Sequence, residues 1–125
     1  STVKQLPTPV DMEFIGDVPV RAFPSVIDSS ECVYAEYFRA YGTGNTSEQA
    51  LDLYAQQLES LGWLEVSRTE ASRLLARGQS ETLSLATYPM SGWYVSKLDP
   101  NNRRDEFQTV LNLRLFTALP QREGC

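Results

Sequence analysis

The stretch TSEQALDLYAQQLESLGW, residues 46–63, contains a helix start, an apolar stripe and a helix stop, and it constrains the fold more than any other segment. Thr46 can cap the free N–H groups of the first turn, while Gln49 can reach back to it as in a capping box. Gly62 is placed to adopt the left-handed conformation after the last turn, with Trp63 folding back in a Schellman-type stop. The apolar positions at spacings of three and four are Leu51, Tyr54, Leu58 and Leu61. They predict a helix that packs on a sheet.

Segments of strand-like sequence flank this helix on both sides. Residues 32–41, CVYAEYFRAY, are rich in aromatic side chains and stop at a Gly-containing turn. Large side chains on both faces of this segment predict a first strand near the middle of a sheet. After the helix, residues 63–68 alternate between apolar and polar, and Leu64 and Val66 are expected to point inward.

The C-terminal half contains three further strand signals. Residues 72–88 predict two strands about a turn near Gly78 and Ser80, with a helix over Thr69–Arg77 as the alternative. Residues 109–119, TVLNLRLFTAL, place leucines on one face and polar side chains on the other, as in a half-buried strand. The order of elements predicts an α+β fold, with an antiparallel sheet of four to six strands and one main helix packed on one face.

The N-terminal residues 1–25 contain four prolines, whose fixed φ and missing N–H disfavour both helix and central strand. We therefore predict an extended Pro-rich arm over residues 1–25 and a single α+β domain over residues 26–125. Phe14 and Ile15 are among the apolar side chains that make the arm too hydrophobic for a solvated linker. The arm is expected either to pack on its own domain or to lie across a partner.

Composition narrows the classes of function. The formal charge of −5 disfavours binding to a phosphate backbone, so no nucleic-acid partner is expected. The apolar runs are far shorter than the roughly 20 residues that cross a bilayer, so no membrane span is expected. The chain has no histidine, which removes the commonest general base and metal ligand. No catalytic residue, metal ligand or cofactor is predicted, because the two cysteines are far apart and neither lysine has a nucleophile motif around it.

The strand that ends in Gly, the helix SEQALDLYAQQLESLGW and the later alternating strands together resemble small extracytoplasmic domains of bacteria, often found on lipoproteins. The resemblance covers about residues 30–120. It implies a non-catalytic domain of the cell envelope, in the periplasm or at the outer face of the cytoplasmic membrane. It also implies an anchoring lipid, which would sit on a residue preceding Ser1.

The two cysteines are Cys32, at the start of the first strand, and Cys125, the last residue. If four alternating strands follow the helix, the last strand runs antiparallel to the first and ends beside its start. A Cys32–Cys125 disulfide would then close a loop of nearly 100 residues, worth about 4–5 kcal/mol in chain entropy, and would fit an oxidising compartment. Two unpaired thiols are the alternative, because an extra strand within PMSGWYVSKL would reverse the direction of the last strand.

Residues 88–107 combine Met90, Trp93 and Tyr94 with a dense run of polar side chains. Aromatic side chains on a long loop are typical of interface anchors, and capping of the core beneath the loop is the alternative. The polar run includes residues 103–106, RRDE, which are expected to form a solvated turn whose charges neutralise one another.

These features predict a non-catalytic extracytoplasmic binding or accessory domain that docks to a protein partner, within a membrane-associated assembly such as an electron-transfer complex. The candidate partner surface combines side chains of the arm and the loop: Phe14, Ile15, Met90, Trp93 and Tyr94. Two other classes stay open. One is a carrier that holds a small apolar ligand between helix and sheet. The other is a carboxylate-based hydrolase, which requires two acidic side chains that converge in a cleft.

Overall fold

The computed structural model describes residues 6–20, 34–78, 81–89 and 95–118, which form a six-stranded antiparallel sheet with one main helix. The strands are β1 (Glu13–Val20), β2 (Tyr34–Thr43), β3 (Leu64–Thr69), β4 (Ser72–Arg77), β5 (Glu81–Ala86) and β6 (Thr109–Ala118). The helices are α1 (Ser47–Glu59), α2 (Val95–Leu98) and a 3₁₀ helix (Arg103–Glu106). The strand order is β1-β2-β6-β5-β4-β3. The predicted fold class, number of strands and main helix are confirmed.

Part of the predicted arm is a strand. β1 lies at the edge of the sheet and pairs antiparallel with β2, with Pro19 opposite Tyr37. The prolines exclude a central strand but not an edge strand. An edge strand forms sheet hydrogen bonds on one side only, so a residue without an N–H is tolerated on its other side. Residues 13–20 of the predicted extended arm are therefore an edge strand of the sheet and not a separate arm. Residues 1–5 and 21–25 lie outside the described residues.

Helix α1 begins and ends as the sequence predicts. The Thr46 side chain accepts a hydrogen bond from the Gln49 backbone N–H, and the Gln49 side chain accepts one from the Thr46 N–H, which completes the capping box. At the other end, Gly62 has a φ of 96°, and the Trp63 N–H donates to the Leu58 carbonyl at 3.2 Å. This Schellman stop satisfies carbonyl groups that the helix end would otherwise leave without donors.

The apolar stripe of α1 packs on one face of the sheet, which we call the α1 face. Leu51, Tyr54 and Leu58 are fully buried there. They contact strand residues that include Tyr41, Leu75, Leu83, Leu85, Leu111, Leu113 and Leu115. Leu61 is 46% exposed, so the prediction that it continues the stripe is wrong. The helix ends at Glu59, and the turn that follows directs Leu61 away from the sheet.

Strand β3 differs from its predicted orientation. Leu64 and Val66 are 69% and 59% exposed, although alternation predicts them to face inward. Leu64 lies opposite Ala76, on the face away from α1, and the register of β3 shifts between Glu65 and Ser67, which leaves Val66 as an extra residue. Such a bulge interrupts alternation locally and is common at sheet edges.

The remaining strands confirm their sequence signals. β4 and β5 form a hairpin with Gly78 at a φ of 63°, so the alternative helix over residues 69–77 is wrong. β6 lies between β2 and β5, with Leu111, Leu113 and Leu115 buried on the α1 face.

The second face of the sheet, opposite α1, has its own smaller cluster. Val18, Phe38 and Ala40 are buried there beneath Leu98 of α2. Val95–Leu98 is helical, and β2 and β6 are antiparallel as the strand count predicts, with Tyr34 opposite Ala118. Cys32 and Cys125 themselves lie outside the described residues, so their disulfide stays a prediction.

Candidate docking surface

The edge strand β1 carries an aromatic side chain that is both held in place and half-exposed. Phe14 is 46% exposed. Its ring meets the Tyr41 ring edge to face at 6.0 Å, and the Arg39 guanidinium lies 5.9 Å from its centre. These contacts fix the ring while one side stays open to solvent, which is the property of a preorganised interface anchor.

The Ile15 side chain lies in a different environment from that of Phe14. The register of β1 shifts between Phe14 and Gly16, and Ile15 is the extra residue at this bulge. Its side chain packs against the cluster of the second face, next to Val18 and Leu98. Of the two predicted surface residues on the arm, Phe14 is therefore open and Ile15 is partly core.

Helix α2 packs closely on β1. A Cβ atom added at Gly16 would overlap the carbonyl oxygen of Leu98, so the backbones of the two segments approach as only glycine permits. The Asp99 N–H donates to the Val95 carbonyl at 2.9 Å and closes the single turn of α2. Residues 90–94, which include the predicted anchors Met90, Trp93 and Tyr94, lie outside the described residues and directly precede α2. Through α2, strand β1 therefore contacts the segment that directly follows the predicted anchors.

The 3₁₀ helix fastens the same end of β1. The Arg103 guanidinium donates to the Phe14 carbonyl at 3.2 Å and forms an ion pair with Glu13. A weaker contact of 3.5 Å links Arg103 to Glu106. The prediction that residues 103–106 neutralise one another is therefore largely wrong, because the main partners of Arg103 belong to a strand 90 positions away in sequence.

Asp99 organises the loop that carries both arginines. Its buried carboxylate accepts hydrogen bonds from the backbone N–H groups of Arg103 and Arg104, at 2.7 and 3.0 Å, and from the Arg104 guanidinium at 2.9 Å. Burial alone would raise the pKa of Asp99. The two backbone hydrogen bonds and the Arg104 guanidinium outweigh burial and lower that pKa below its ordinary value.

Replacing Asp99 with asparagine is expected to lower the free energy of unfolding at pH 7 by about 1.5–3 kcal/mol, the range for hydrogen bonds to a charged group. Because the pKa of Asp99 is lowered on folding, its contribution is complete above the unfolded value near 3.8 and is lost as pH falls through the lowered folded value. Urea unfolding of both proteins between pH 7 and pH 3, about one unit below the unfolded value, measures this. A stability difference that does not shrink at low pH would contradict the assigned role.

A polar cluster links β1 to β2 on the α1 face. Arg39 donates to the hydroxyl oxygens of Tyr37 and Tyr41, at 3.3 and 3.2 Å, and lies 3.6 Å from the Asp17 carboxylate. The Tyr37 hydroxyl donates to Asp17. Burial first, and then the hydrogen bond to Asp17, raise the pKa of Tyr37, so its hydroxyl remains a proton donor at neutral pH. This cluster holds the edge strand in register rather than providing a base.

Three other carboxylates of the described strands and helices, those of Asp52, Glu65 and Glu81, are also paired with arginines. Arg73 is 3% exposed and lies 3.1 Å from Asp52 of α1 and 3.5 Å from Glu65 of β3. Arg77 pairs with Glu81 at 3.0 Å and stacks on the Trp63 ring at 4.7 Å. Each arrangement ties structural elements together, and the Asp52 and Glu65 carboxylates that meet at Arg73 are neutralised by its guanidinium.

The space between α1 and the sheet is filled by side chains. Leu51, Tyr54 and Leu58 have no exposed surface, and the Tyr54 hydroxyl donates to the Pro7 carbonyl at 2.9 Å. Leu6 completes this core from the N-terminal side. The carrier hypothesis, which needs a cavity at this interface, gains no support from the packing.

Sequence reasoning missed the residues that hold β1 in place. Gly16, Asp99 and Arg103 carry no motif, and their roles depend on contacts between distant segments. The exposed Leu64 and Val66 were likewise not predicted as surface residues.

Comparisons with protein-family models, curated proteins and solved structures find no significant match to this chain. Within the described ranges, no helix combines the length and apolar character needed to cross a membrane. The same ranges contain no group of three or more cysteine, aspartate or glutamate side chains arranged to hold a metal ion.

Proposed function

We propose that this chain is a non-catalytic binding or accessory domain that docks to a protein partner through the β1 edge surface, formed by β1 and the α2 helix packed on it. The observation that carries the proposal is the half-exposed Phe14, fixed by Tyr41 and Arg39 on a strand at the edge of the sheet. In the described part of the chain β1 pairs only with β2, so its outer edge can add main-chain hydrogen bonds to the aromatic anchor.

Two further contacts support this surface as one preorganised unit. Gly16 brings α2 against β1, and Arg103 binds the Phe14 carbonyl, so the anchor and the helix that follows residues 90–94 are fixed relative to each other. Surfaces that are rigid before binding lose less conformational entropy in the complex.

The proposed setting is extracytoplasmic, at a membrane-associated assembly, with an upstream lipid or membrane anchor. The support is the sequence resemblance together with the antiparallel pairing of β2 and β6, in which Tyr34 is opposite Ala118. Cys32 precedes one of these ends by two residues and Cys125 follows the other by seven, which favours a disulfide and hence an oxidising compartment. Mass measurement of alkylated protein before and after reduction tests the bridge; two thiols that alkylate without reductant would contradict it.

The function is tested by immobilising the protein and quantifying what it retains from a detergent extract of native membranes. Phe14→Ala is expected to reduce recovery of the specific partner about tenfold or more, because truncation of a hot-spot anchor costs about 2 kcal/mol or more and about 1.4 kcal/mol is already tenfold. Leu64→Ala is the matched control, since Leu64 is 69% exposed on the opposite edge of the sheet. Recovery that is unchanged by Phe14→Ala, or reduced equally by both variants, would refute docking at the β1 edge.

A further inference from the structure

A different feature lies on the second face of the sheet, where Arg114 of β6 is held between two aromatic rings. Its guanidinium carbon is 4.5 Å from the centre of the Phe38 ring and 5.7 Å from that of Phe116. Among the described residues, none accepts a hydrogen bond from Arg114 or forms an ion pair with it. Every other arginine of the described strands has a carboxylate within 4.0 Å.

The surroundings of Arg114 prepare its guanidinium for an anion. The residues directly opposite it on the two neighbouring strands are Phe38 and Ser84, neither of which carries a charge. The two rings restrict the side chain, while the N–H groups at the rim of the guanidinium plane have no acceptor among the side chains that the structure describes. A planar fork of N–H donors matches the two oxygens of a carboxylate.

Beside Arg114 is a small cleft of about 70 Å³ with both polar and apolar walls, the apolar part of which includes Phe38, Ala86, Pro89 and Leu98. Asn112 lines the same cleft. Its Nδ2 donates to the Tyr88 carbonyl at 3.0 Å, which orients the amide, and its buried Oδ1 has no hydrogen-bond donor within the described ranges. A buried acceptor without a donor is rare enough to indicate a missing partner.

We propose that this cleft binds the terminal residue of a peptide chain through its free carboxylate. Arg114 receives the carboxylate, Asn112 Oδ1 accepts the N–H of the terminal residue, and the apolar walls contact its side chain. The two residues are two positions apart on one strand, about 6.7 Å, so their side chains can reach one ligand residue together. This inference goes beyond docking at the β1 edge and does not depend on it.

The test is an NMR titration of the full chain with three small probes. N-acetyl-L-phenylalanine has the carboxylate, the N–H and an apolar side chain. N-acetyl-L-phenylalaninamide lacks the carboxylate, and 3-phenylpropanoate lacks the N–H. Saturable shifts at β5 and β6 are expected with the first probe in the millimolar range, with at least tenfold weaker binding of the amide and measurably weaker binding of 3-phenylpropanoate. Absence of saturation with the first probe, or equal binding of the amide, would overturn the site; equal binding of 3-phenylpropanoate would overturn its assignment to a peptide terminus.

Substitutions of Arg114 test whether binding needs the planar guanidinium or only its positive charge. Arg114→Gln and Arg114→Lys are both expected to weaken binding of N-acetyl-L-phenylalanine at least tenfold, because lysine keeps the charge but not the planar fork. Arg68→Gln is the matched control, since it removes the same charge from an exposed arginine that pairs with Glu65 at 2.8 Å. Binding by Arg114→Lys equal to that of the wild type would overturn the proposed geometry. The comparison of probes on the wild-type protein decides the question even if a variant fails to fold.

Discussion

Replacing Leu58 with alanine is expected to lower the free energy of unfolding by about 2–5 kcal/mol, the range for truncating a fully buried leucine. Leu58 has no exposed surface and lies in the main core, and its carbonyl also accepts the Trp63 N–H that closes α1. The side chain is thus lost from the centre of the contact between helix and sheet. Urea unfolding followed by circular dichroism measures the change.

Leu61→Ala provides the matched control for this experiment. Leu61 belongs to the same apolar stripe in the sequence, but it is 46% exposed and follows the end of the helix. Its truncation is expected to change the free energy of unfolding by less than about 1 kcal/mol. Equal losses for the two leucines would show that the helix packs with a different face toward the sheet.

The second large effect is expected at Gly16, where alanine should destabilise the protein by about 1–3 kcal/mol, as for overpacking of a closed contact. The added Cβ would overlap the Leu98 carbonyl oxygen, which is backbone and cannot rotate away, so α2 must move off β1. A single turn that has lost its packing on β1 should open more readily, and its hydrogen bond from the Asp99 N–H to the Val95 carbonyl should be less protected. Faster hydrogen exchange at the Asp99 amide is therefore expected together with the loss of stability.

Gly44→Ala is the control for the glycine substitution, because a Cβ at Gly44 would meet nothing within 4 Å. Its effect on the free energy of unfolding is expected to stay within about 0.5 kcal/mol. A Gly16→Ala protein that matches this control in stability and in exchange at Asp99 would contradict the close packing of α2 on β1.

The parts of the fold that follow from local physics were predictable from the sequence. Thr46, Gln49 and Gly62 act within a few residues of themselves, so the cap, the box and the stop of α1 could be assigned without knowing what the helix packs on. The buried face of β6 was equally predictable, because in a regular strand between two neighbours the side chains alternate strictly between the two faces of the sheet.

The errors arise where a side chain's environment depends on distant pairing. Alternation in β3 gives two faces but not which of them meets α1, and the bulge at Val66 breaks the alternation as well. Strand β1 was not predicted because its prolines disfavour a strand, and its position at the edge, where prolines are tolerated, depends on how the whole sheet is paired.

The candidate surface was predictable only in part. Phe14 was identified because an apolar aromatic residue stood out in a Pro-rich segment. Its supports were not, since Arg103 and Tyr41 reach it from segments that only the folded chain brings together. Arg114 carries no motif, and its pairing with two rings appears only once β2 and β6 are in register.

The central claim, that the β1 edge is where this domain meets a protein partner, is tested most directly by photo-crosslinking in native membrane extract. A photoreactive phenylalanine analogue at position 14 is expected to form one dominant adduct that excess unlabelled wild-type protein competes away. The same analogue at position 64, which is more exposed than position 14 and lies on the opposite edge, is expected to give no such adduct. Adducts of equal yield at both positions, or recovery of only uncrosslinked monomer at position 14, would contradict the claim.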